Sequence, residues 1–308
     1  MLSRIANNLY WAGRNLERIE HIARFVPVNF FASLDGPKEA DEASMLKKLN
    51  AMAGSVSPEL ELNEGDVLVD LAFDLKNPSS VSSCITLARE NCRGARDLLS
   101  TELWESVNKL FHYTQTFDQD LYRESSMHEF MVNAKQLVAV CKYQADSTMV
   151  KNQVWSTLKL GLLLERAFQV SRIISIIHTE MQRETENWDL YVQYECINLL
   201  KSLEAFDMNR KFYRKPVNAE RAMEFLVFNE NFPRSMAFCM KEVCMYLSNL
   251  SLDEKGKKLS VRMHAENLKN ELVFGSVDDF MGDIPAYIND VQSKIARIHK
   301  LLNEHYFA

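Results

Sequence analysis

The chain has 308 residues, 47% of them hydrophobic, and its 36 basic and 42 acidic side chains give a formal net charge of −6. This acidic balance makes it a poor general nucleic-acid binder, because neutralising phosphates requires a clustered basic surface, although basic residues can still cluster locally. Only 9 glycines and 7 prolines interrupt the chain, well below their usual shares of about 7% and 5%. Few turn-forming residues indicate few, long elements, and therefore helices.

The cysteines and the apolar segments indicate a cytoplasmic protein. No two cysteines form a C-x-x-C pair, so we interpret them as reduced core residues rather than as a disulfide framework or a zinc site. The N-terminus lacks the apolar region of a secretory signal. The most apolar segment, 158–177, contains Glu165, Arg166 and Arg172 and is not predicted to span a membrane. The six cysteines are Cys84, Cys92, Cys141, Cys196, Cys239 and Cys244.

Helical periodicity begins at the N-terminus, where one apolar stripe recurs at steps of three and four residues. Pro27 is predicted to bend or end this first helix. Asn77 is predicted to cap a later helix whose first residue is Pro78, and residues 54–65 to form a surface loop. The stripe consists of Ile5, Leu9, Ala12, Leu16, Ile19 and Ala23. The other helices predicted in the first half cover about 38–53, 66–75, 78–99 (with its apolar stripe at 81–99), 104–117 and 121–143.

The second half begins near Val150, and its first predicted helix runs to about Met181. Residues 210–217, with the sequence RKFYRKPV, are predicted to form a basic loop. No segment shows a convincing strand-like alternation, so the predicted fold is an all-α bundle of roughly ten to twelve helices. The remaining predicted helices cover about 187–209, 218–229, 233–250, 254–272 and 284–304.

A charged phrase occurs twice in the chain. Gly13–Arg24 reads GRNLERIEHIAR and Gly161–Arg172 reads GLLLERAFQVSR, 148 residues later. A second pair of segments follows in the same order: Leu71–Cys84 reads LAFDLKNPSSVSSC and Leu226–Cys239 reads LVFNENFPRSMAFC, 155 residues apart. Two matching segments at nearly the same spacing indicate an internal duplication.

The duplication predicts how the chain is organised. We expect a single domain over 1–308, built from two divergent, pseudo-symmetric halves. The halves cover about 1–148 and 149–308. Equivalent helices of the two halves would then pack around a pseudo-twofold axis.

The polar side of the first helix has two interpretations. Its side chains point in a common direction roughly opposite the apolar stripe. They could form a solvated face with pairs such as Arg14–Glu17 and Glu20–Arg24, which contribute a few tenths of a kcal/mol each, or they could line a site. The side chains concerned are Tyr10, Arg14, Glu17, His21 and Arg24.

The second copy of the charged phrase favours burial. Its helix is apolar all round, which is typical of a buried helix, so Glu165 and Arg166 are predicted to be buried. Adjacent residues point about 100° apart and cannot easily pair with each other. We therefore expect Glu17 to meet Arg166, and Arg18 to meet Glu165, across the pseudo-twofold axis.

Such a cluster of four charges could do one of two things. A closed cluster would be structural and fix the register of the two helices. An open one, with Arg14, Arg24 and Tyr10 nearby, could bind an anionic ligand. The sequence leaves both alternatives open.

A second charged stretch, AREN-CRGARD at 88–97, places arginines at 89, 93 and 96. Arg89, Arg93 and Arg96 are spaced i, i+4, i+7, so they are predicted to form a ridge at the border of the buried face. Arginines there could hold carboxylate or phosphate groups bidentately. Alternatively, they form a rim of ion pairs with neighbouring helices.

The motifs of known catalytic chemistry are missing from the sequence. None of the 7 histidines has a glutamate three residues before it, as a di-iron bundle would require. No H-E-x-x-H, Walker A, G-x-G-x-x-G or G-x-S-x-G motif occurs. No catalytic residue, metal or cofactor is predicted, and the tryptophans are interpreted as core or interface packing.

Four segments together resemble the bacterial alpha-E family, an all-helical domain of unknown function named for its Glu-Arg motif. They are LSRIANNLYWAGRNLERIEHIAR at 2–24, ARENCRGARDLLSTELWESVN at 88–108, GLLLERAFQVSRII at 161–174 and FNENFPRSMAFC at 228–239. The resemblance covers essentially the whole chain, in order. It implies that the family's motif residues are Glu17, Arg18, Glu165 and Arg166, with Arg89, Glu90, Asn91, Arg93 and Arg96 from the second stretch.

The resemblance also implies a context. Genes of this family tend to lie beside those of an ATP-grasp protein, a transglutaminase-like cysteine peptidase and sometimes a proteasome-like hydrolase. This implies a system that makes, attaches or removes a peptide, in which the helical protein is a non-enzymatic accessory or presents a substrate. The alternatives are a metal- or nucleotide-dependent enzyme that uses Glu17, Glu20 and Glu165, and a purely structural scaffold.

Overall fold

The computed structural model describes residues 1–34, 42–54, 64–117, 124–182, 188–250 and 257–307. Within these ranges the regular elements are fourteen α-helices and two short helical turns, and no described residue lies in a strand. The predicted all-α class is therefore confirmed. The predicted helix at 187–209 is in fact two helices, and a short helix that no apolar stripe marks lies before the last one, so the described helices outnumber the ten to twelve expected.

The helices of the first part of the chain include the two longest. They are α1 Ser3–Leu34, α2 Glu42–Ala53, α3 Glu64–Ala72, α4 Val81–Gly94, α5 Thr101–Thr116, α6 Glu124–Thr148 and α7 Gln153–Met181.

The helices of the second part are shorter. They are α8 Trp188–Ser202, α9 Phe206–Tyr213, α10 Ala219–Phe228, α11 Met236–Ser248, α12 Lys257–Phe274, α13 Val277–Gly282 and α14 Ile284–Leu302. Because α9 ends at Tyr213, the first half of the predicted basic loop at 210–217 is helical.

The chain divides into two compact units. Among the described residues, the first unit consists of those from 1 to 162 and the second of those from 163 to 307. The division falls inside α7. The single domain and the pseudo-symmetric halves expected from the duplication stay predictions.

In the first unit, α1 is the central element and packs most extensively against α4 and α6, while α5 packs against α6 and α4. Pro27 does not end α1, which continues to Leu34. Tertiary packing explains the difference, because Phe25, Val26 and Phe30 on both sides of the proline are buried and hold the helix together although the proline donates no hydrogen bond.

In the second unit, α10 is surrounded by α8, α9, α11, α12 and α13, and α12 packs between α11 and α14. Side chains on α10 such as Met223 and Leu226 are fully buried. Phe225 on the same helix contacts Phe212 and Phe232 at ring-centroid distances of 5.7 and 4.7 Å. This cluster joins α9, α10 and the turn before α11.

The second pair of repeated segments caps a helix in the same way in each unit. The hydroxyl of Ser80 accepts a hydrogen bond from the backbone N–H of Ser83 at 3.0 Å, and that of Ser235 accepts one from Phe238 at 3.0 Å. The prediction that Asn77 caps this helix was wrong. Asn77 instead accepts from the N–H of Ser79 in the preceding turn, and α4 begins only after Ser80.

The same two segments share two further contacts. Asp74 and Asn229 each accept a hydrogen bond from the backbone N–H two residues later, at 2.8 and 2.9 Å, which forms an Asx turn. The sulfur of Cys84 lies 3.6 Å from the carbonyl oxygen of Pro78, and that of Cys239 lies 3.8 Å from the carbonyl of Pro233. The residues that the two segments share therefore form the same local contacts in both.

All six cysteines are buried and none forms a disulfide, as predicted. Burial raises the pKa of the Cys92 thiol to about 12, and Cys141 adds to the shift. Burial likewise raises the pKa of the Cys196 thiol to about 12. Thiols held so strongly in the neutral form are poor nucleophiles, consistent with packing roles.

In the described part of the chain, no helix combines the length and the apolarity that crossing a bilayer requires. The interrupted segment at 158–177 lies in α7 and agrees with this finding. The cytoplasmic localisation stays a prediction.

Candidate functional site

The polar side of α1 is buried. Glu17 is 1% exposed, His21 2% and Arg24 4%, and the ring of Tyr10 is fully buried. A solvated face is therefore excluded for these positions. Burying several charges on one helix requires partners for each of them, because an isolated buried charge costs several kcal/mol.

Both glutamates share one partner, Lys142, which the sequence did not single out. Its ammonium nitrogen forms ion pairs with carboxylate oxygens of both Glu17 and Glu20. Glu20 also accepts a hydrogen bond from Arg24 at 3.2 Å, which confirms the predicted pair. We call Glu17, Glu20, Arg24 and Lys142 the buried charge cluster.

The spacing of the cluster follows from helix geometry. Residues 17, 20 and 24 are separated by three and four positions and so lie on one side of α1. Lys142 comes from α6, which packs along α1. The signal for Lys142 in the sequence is weak, because it is only a basic residue beside the buried Cys141.

The glycines that open the two copies of the charged phrase lie against each other's helices. A Cβ atom at Gly13 would overlap the carbonyl oxygen of Leu158, and one at Gly161 would overlap the carbonyl oxygen of Tyr10. The backbones of α1 and the start of α7 therefore touch, which only glycine permits. The two contacts are reciprocal, since Tyr10 and Leu158 each lie three residues before their glycine.

The first copy also contains two arginines that are only partly buried. Arg14 is half-buried, and its guanidinium carbon lies 4.8 Å from the ring centroid of Trp11 and 5.8 Å from that of Tyr10. Arg18 is likewise half-buried. Both arginines are therefore less buried than Glu17, His21 and Arg24.

In the second copy, the glutamate accepts a hydrogen bond from a different kind of residue. Glu165 is completely buried, as predicted, and accepts a hydrogen bond from the amide of Gln169 at 2.7 Å. Arg172 in turn donates to the amide oxygen of Gln169 at 3.2 Å. The equivalent contact in the first copy runs from Arg24 to the ring of His21, at 3.4 Å.

The predicted burial of Arg166 was wrong. Arg166 is only half-buried, and it donates a hydrogen bond to the carbonyl oxygen of Pro233 at 3.0 Å. Its long side chain reaches out of the apolar surroundings of α7 to a backbone group of the turn before α11. The expected pairs Glu17–Arg166 and Arg18–Glu165 stay predictions.

The predicted arginine ridge is only partly a helical ridge. Helix α4 ends at Gly94, and Arg96 lies in the 3₁₀ turn that follows, so helical spacing does not relate it to Arg89 and Arg93. Arg89 is half-buried and donates to Asn108 on α5 at 2.8 Å and to Glu90 at 3.1 Å. Arg93 is exposed over 64% of its side chain and pairs with Glu90.

Aromatic rings hold these arginines in place. The guanidinium carbon of Arg89 lies 4.5 Å from the ring centroid of Phe111, and that of Arg96 lies 5.3 Å from the ring centroid of Trp104. Trp104 also lies 5.9 Å from Arg89, so it is a platform for two cations as well as a packing residue. We call Arg89, Arg93, Arg96 and Trp104 the arginine face.

The remaining residues of this stretch connect the arginine face to the helix. Glu90 holds both Arg89 and Arg93 through its two carboxylate oxygens. Asn91 is half-buried on α4. Arg89 and Arg93 thus form ion pairs, but with an acidic residue of their own helix rather than with the neighbouring helices that the alternative interpretation expected.

In the described ranges, no three His, Cys, Asp or Glu side chains are grouped closely enough to hold a metal ion. The buried charge cluster pairs two carboxylates with two cations internally, whereas the arginine face presents cations to solvent.

The Alpha-E family model, described as a predicted alpha-helical domain with a conserved ER motif, matches residues 1–307. The chain belongs to the Alpha-E family. The Glu-Arg pairs at 17–18 and 165–166 are the two that lie in the repeated phrase of this Alpha-E protein. In each pair the glutamate is buried and the arginine is only half-buried, so the two residues of the motif point into different surroundings.

The comparisons with curated proteins and with solved structures find no match to this Alpha-E chain.

Proposed function

We propose that this Alpha-E protein is a non-enzymatic binding component, in which the buried charge cluster is structural and the arginine face contacts a partner. The observation that carries the proposal is the contrast in exposure between the two sets of charges. Arg93 is exposed over 64% of its side chain, and Arg96 is exposed as well, whereas the side chains of Glu17 and Arg24 are almost completely buried.

The structural role of the buried charge cluster rests on its closure. Lys142 pairs with both glutamates and Arg24 pairs with one of them. Charges satisfied in this way do not offer a ligand an open position. They do fix the register of α1 against α6. A shift along either helix would separate the paired charges, and leaving a buried charge unpaired costs several kcal/mol.

The arginine face is suited to carboxylate groups of a peptide or protein. A guanidinium that stacks on an indole ring loses less conformational freedom on binding, and its planar fork matches a carboxylate. Arg96 over Trp104 has this arrangement. An acidic side chain or a C-terminal carboxylate is therefore the recognised group that we propose.

The family resemblance supplies the partner. We propose that the arginine face binds the ATP-grasp protein, or the peptide that this enzyme and a transglutaminase-like peptidase process. The Alpha-E protein would then hold or present a substrate without reacting with it. The enzyme and the pure scaffold remain the alternatives.

The test uses the purified full-length protein and the ATP-grasp and peptidase proteins from the same bacterium, with binding followed by biolayer interferometry. We expect Arg96→Ala to weaken binding by roughly tenfold or more, which corresponds to the loss of a charge-assisted contact of about 1.5 kcal/mol. Lys47→Ala, which removes an exposed cation on α2, should bind like wild type.

The alternatives predict other results. If Arg96→Ala and Lys47→Ala bind equally well, the arginine face is not the contact. If the purified protein binds neither partner and alone turns over an ATP-dependent or peptide substrate, it is an enzyme. If it neither binds nor reacts, the scaffold interpretation holds.

A further inference from the structure

The second unit carries a groove in which four of the six lining residues are cationic. It lies at the C-terminal end of α9 and in the turn that follows, and it has a volume of about 720 Å³. Its lining residues are Asp207, Arg210, Lys211, Arg214, Lys215 and Pro216. We call this the α9 groove. It lies in the stretch that the sequence marked only as a basic loop.

The four cations of the α9 groove are Arg210, Lys211, Arg214 and Lys215. None of them forms an ion pair with another residue in the described part of the chain. Arg210 packs over the ring of Phe206, 5.5 Å from its centroid. Other cations of the second unit are paired: Arg234 with Glu204 at 2.8 Å and Lys241 with Glu230 at 3.2 Å.

Helix stabilisation does not account for so many cations. The C-terminus of a helix carries a partial charge of about −0.5, which one cation offsets. The α9 groove holds four cations against the single carboxylate of Asp207. The excess of three positive charges stands in a chain whose formal net charge is −6, so it is a local feature with the opposite sign to the whole.

The backbone holds the groove in shape. Arg214 lies in the left-handed region with φ 53° and ψ 34°, and its N–H donates to the carbonyl of Arg210. Glycine is the usual residue at this position after a helix, so a cation here replaces the residue that the backbone prefers. Arg221 on α10 donates two hydrogen bonds to the carbonyl of Pro216, at 3.2 and 2.5 Å, which fixes the other end of the turn.

The lining identifies the class of ligand. Every lining residue except Pro216 ends in a charged group, while the aliphatic stems of the arginines and lysines supply apolar surface, so the groove favours a ligand that carries several anionic groups. Guanidinium forks and ammonium groups bind phosphate and carboxylate oxygens. Contiguous phosphates carry three or more negative charges on directly linked groups, a denser arrangement than carboxylates on the successive residues of an extended peptide, which are spaced about 3.4 Å apart.

We propose that the α9 groove is a binding site for two or three contiguous phosphate groups. The phosphates could belong to a soluble compound or to a multiply phosphorylated lipid headgroup. The groove is open to solvent, and its cations would bind the phosphate oxygens that both kinds of ligand have. A long nucleic acid is disfavoured, since the acidic remainder of the protein repels it beyond the groove.

The test is isothermal titration of the full-length protein with inorganic tripolyphosphate, beside two variants. Arg214→Gly removes one cation and places glycine where the backbone favours it, so the variant should melt at or above the wild-type temperature. Its binding should be weaker by about tenfold, as expected for the loss of one charge-assisted contact. Lys76→Gly removes an exposed cation from a turn in the first unit and should bind like wild type.

Lys211→Gln provides a second variant in the α9 groove and should also weaken binding by about tenfold. Two results would overturn the proposal. One is the absence of tripolyphosphate binding to the wild type at millimolar concentration. The other is equal binding by wild type, Arg214→Gly and Lys211→Gln.

Two further arms separate the sources of the anion. Citrate tests for carboxylates, and equal affinity for citrate and tripolyphosphate would overturn the assignment to phosphate. Vesicles of phosphatidylcholine with or without phosphatidylinositol bisphosphate test for a headgroup. If the phosphatidylinositol bisphosphate vesicles capture the protein and tripolyphosphate releases it from them, the phosphates belong to a lipid. If the protein binds tripolyphosphate but is not captured by the vesicles, they belong to a soluble compound.

Discussion

The two copies of the charged phrase each bury the equivalent glutamate, but different residues contact it in each copy. In the first unit Glu17 pairs with the ammonium group of Lys142, whereas in the second unit Glu165 accepts a hydrogen bond from the neutral amide of Gln169. One contact of the buried carboxylate thus comes from a cation on a distant helix in the first copy and from an amide one turn away in the second. The repeated sequence places a glutamate at a buried position in both copies, whereas the residues that contact this glutamate differ between the copies.

The largest effect should come from removing the cation of the first copy. Lys142→Met keeps most of the length of the side chain but leaves two buried carboxylates without their ammonium group. We expect the free energy of unfolding to fall by about 3–5 kcal/mol, measured by urea denaturation. Lys109→Met on the exposed side of α5 is the control, with a change within about 0.5 kcal/mol. Equal stability of the two variants would contradict the role of Lys142.

The second copy should lose less when its donor is removed. Gln169→Leu keeps the volume roughly constant but takes one hydrogen bond from Glu165 and one acceptor from Arg172. We expect a loss of about 1.5–3 kcal/mol, the range for hydrogen bonds to charged groups. The matched variant His21→Gln puts the amide of the second copy into the first and should cost less than about 1.5 kcal/mol. A larger loss from His21→Gln than from Gln169→Leu would contradict the comparison.

The glycines test whether the two copies depend on the same close contact. Gly13→Ala and Gly161→Ala each place a methyl group against a backbone carbonyl. A backbone group cannot rotate away as a side chain can, so we expect each change to cost about 1–3 kcal/mol. Gly282→Ala, whose Cβ would meet nothing within 4 Å, should change stability by less than about 0.5 kcal/mol. Thermal melts of the three variants would reveal the difference.

The smallest effects concern the caps in the second pair of segments. Ser80→Ala and Ser235→Ala each remove one side-chain acceptor for a backbone N–H, which costs about 1 kcal/mol. Because the capping distances are both 3.0 Å, we expect the two losses to agree within about 0.5 kcal/mol. Ser147→Ala on the exposed end of α6 serves as the control. A clear inequality would show that the two segments are alike in sequence but not in energy.

The sequence predicted the all-α class, the approximate helices and the burial of Glu165, because these depend on periodicity and on local composition. It did not predict the continuation of α1 through Pro27, since that depends on packing against α4 and α6. It also placed the cap of α4 at Asn77 instead of Ser80, where two polar residues that both favour caps compete.

The candidate site was predicted less completely. The repeated phrase located Glu17 and Glu165, but Lys142 lies 125 residues from Glu17 and no local pattern connects them. The helical spacing of Arg89, Arg93 and Arg96 suggested a ridge, yet the chain leaves the α-helix at Gly94. Pairing between distant segments and the exact end of a helix are both set by tertiary contacts, which a single sequence does not display.

The contact between Gly13 and Leu158 has a consequence for how the protein is made. The helix that is synthesised first needs a partner that is synthesised some 145 residues later. At about 5–20 residues per second, the ribosome takes roughly 7–30 seconds to supply it. During that interval the carboxylates of α1 must stay hydrated, and any chain that stalls before Lys142 lacks the cation that permits their burial. Complete synthesis of the first unit is therefore a condition for folding its first helix into place.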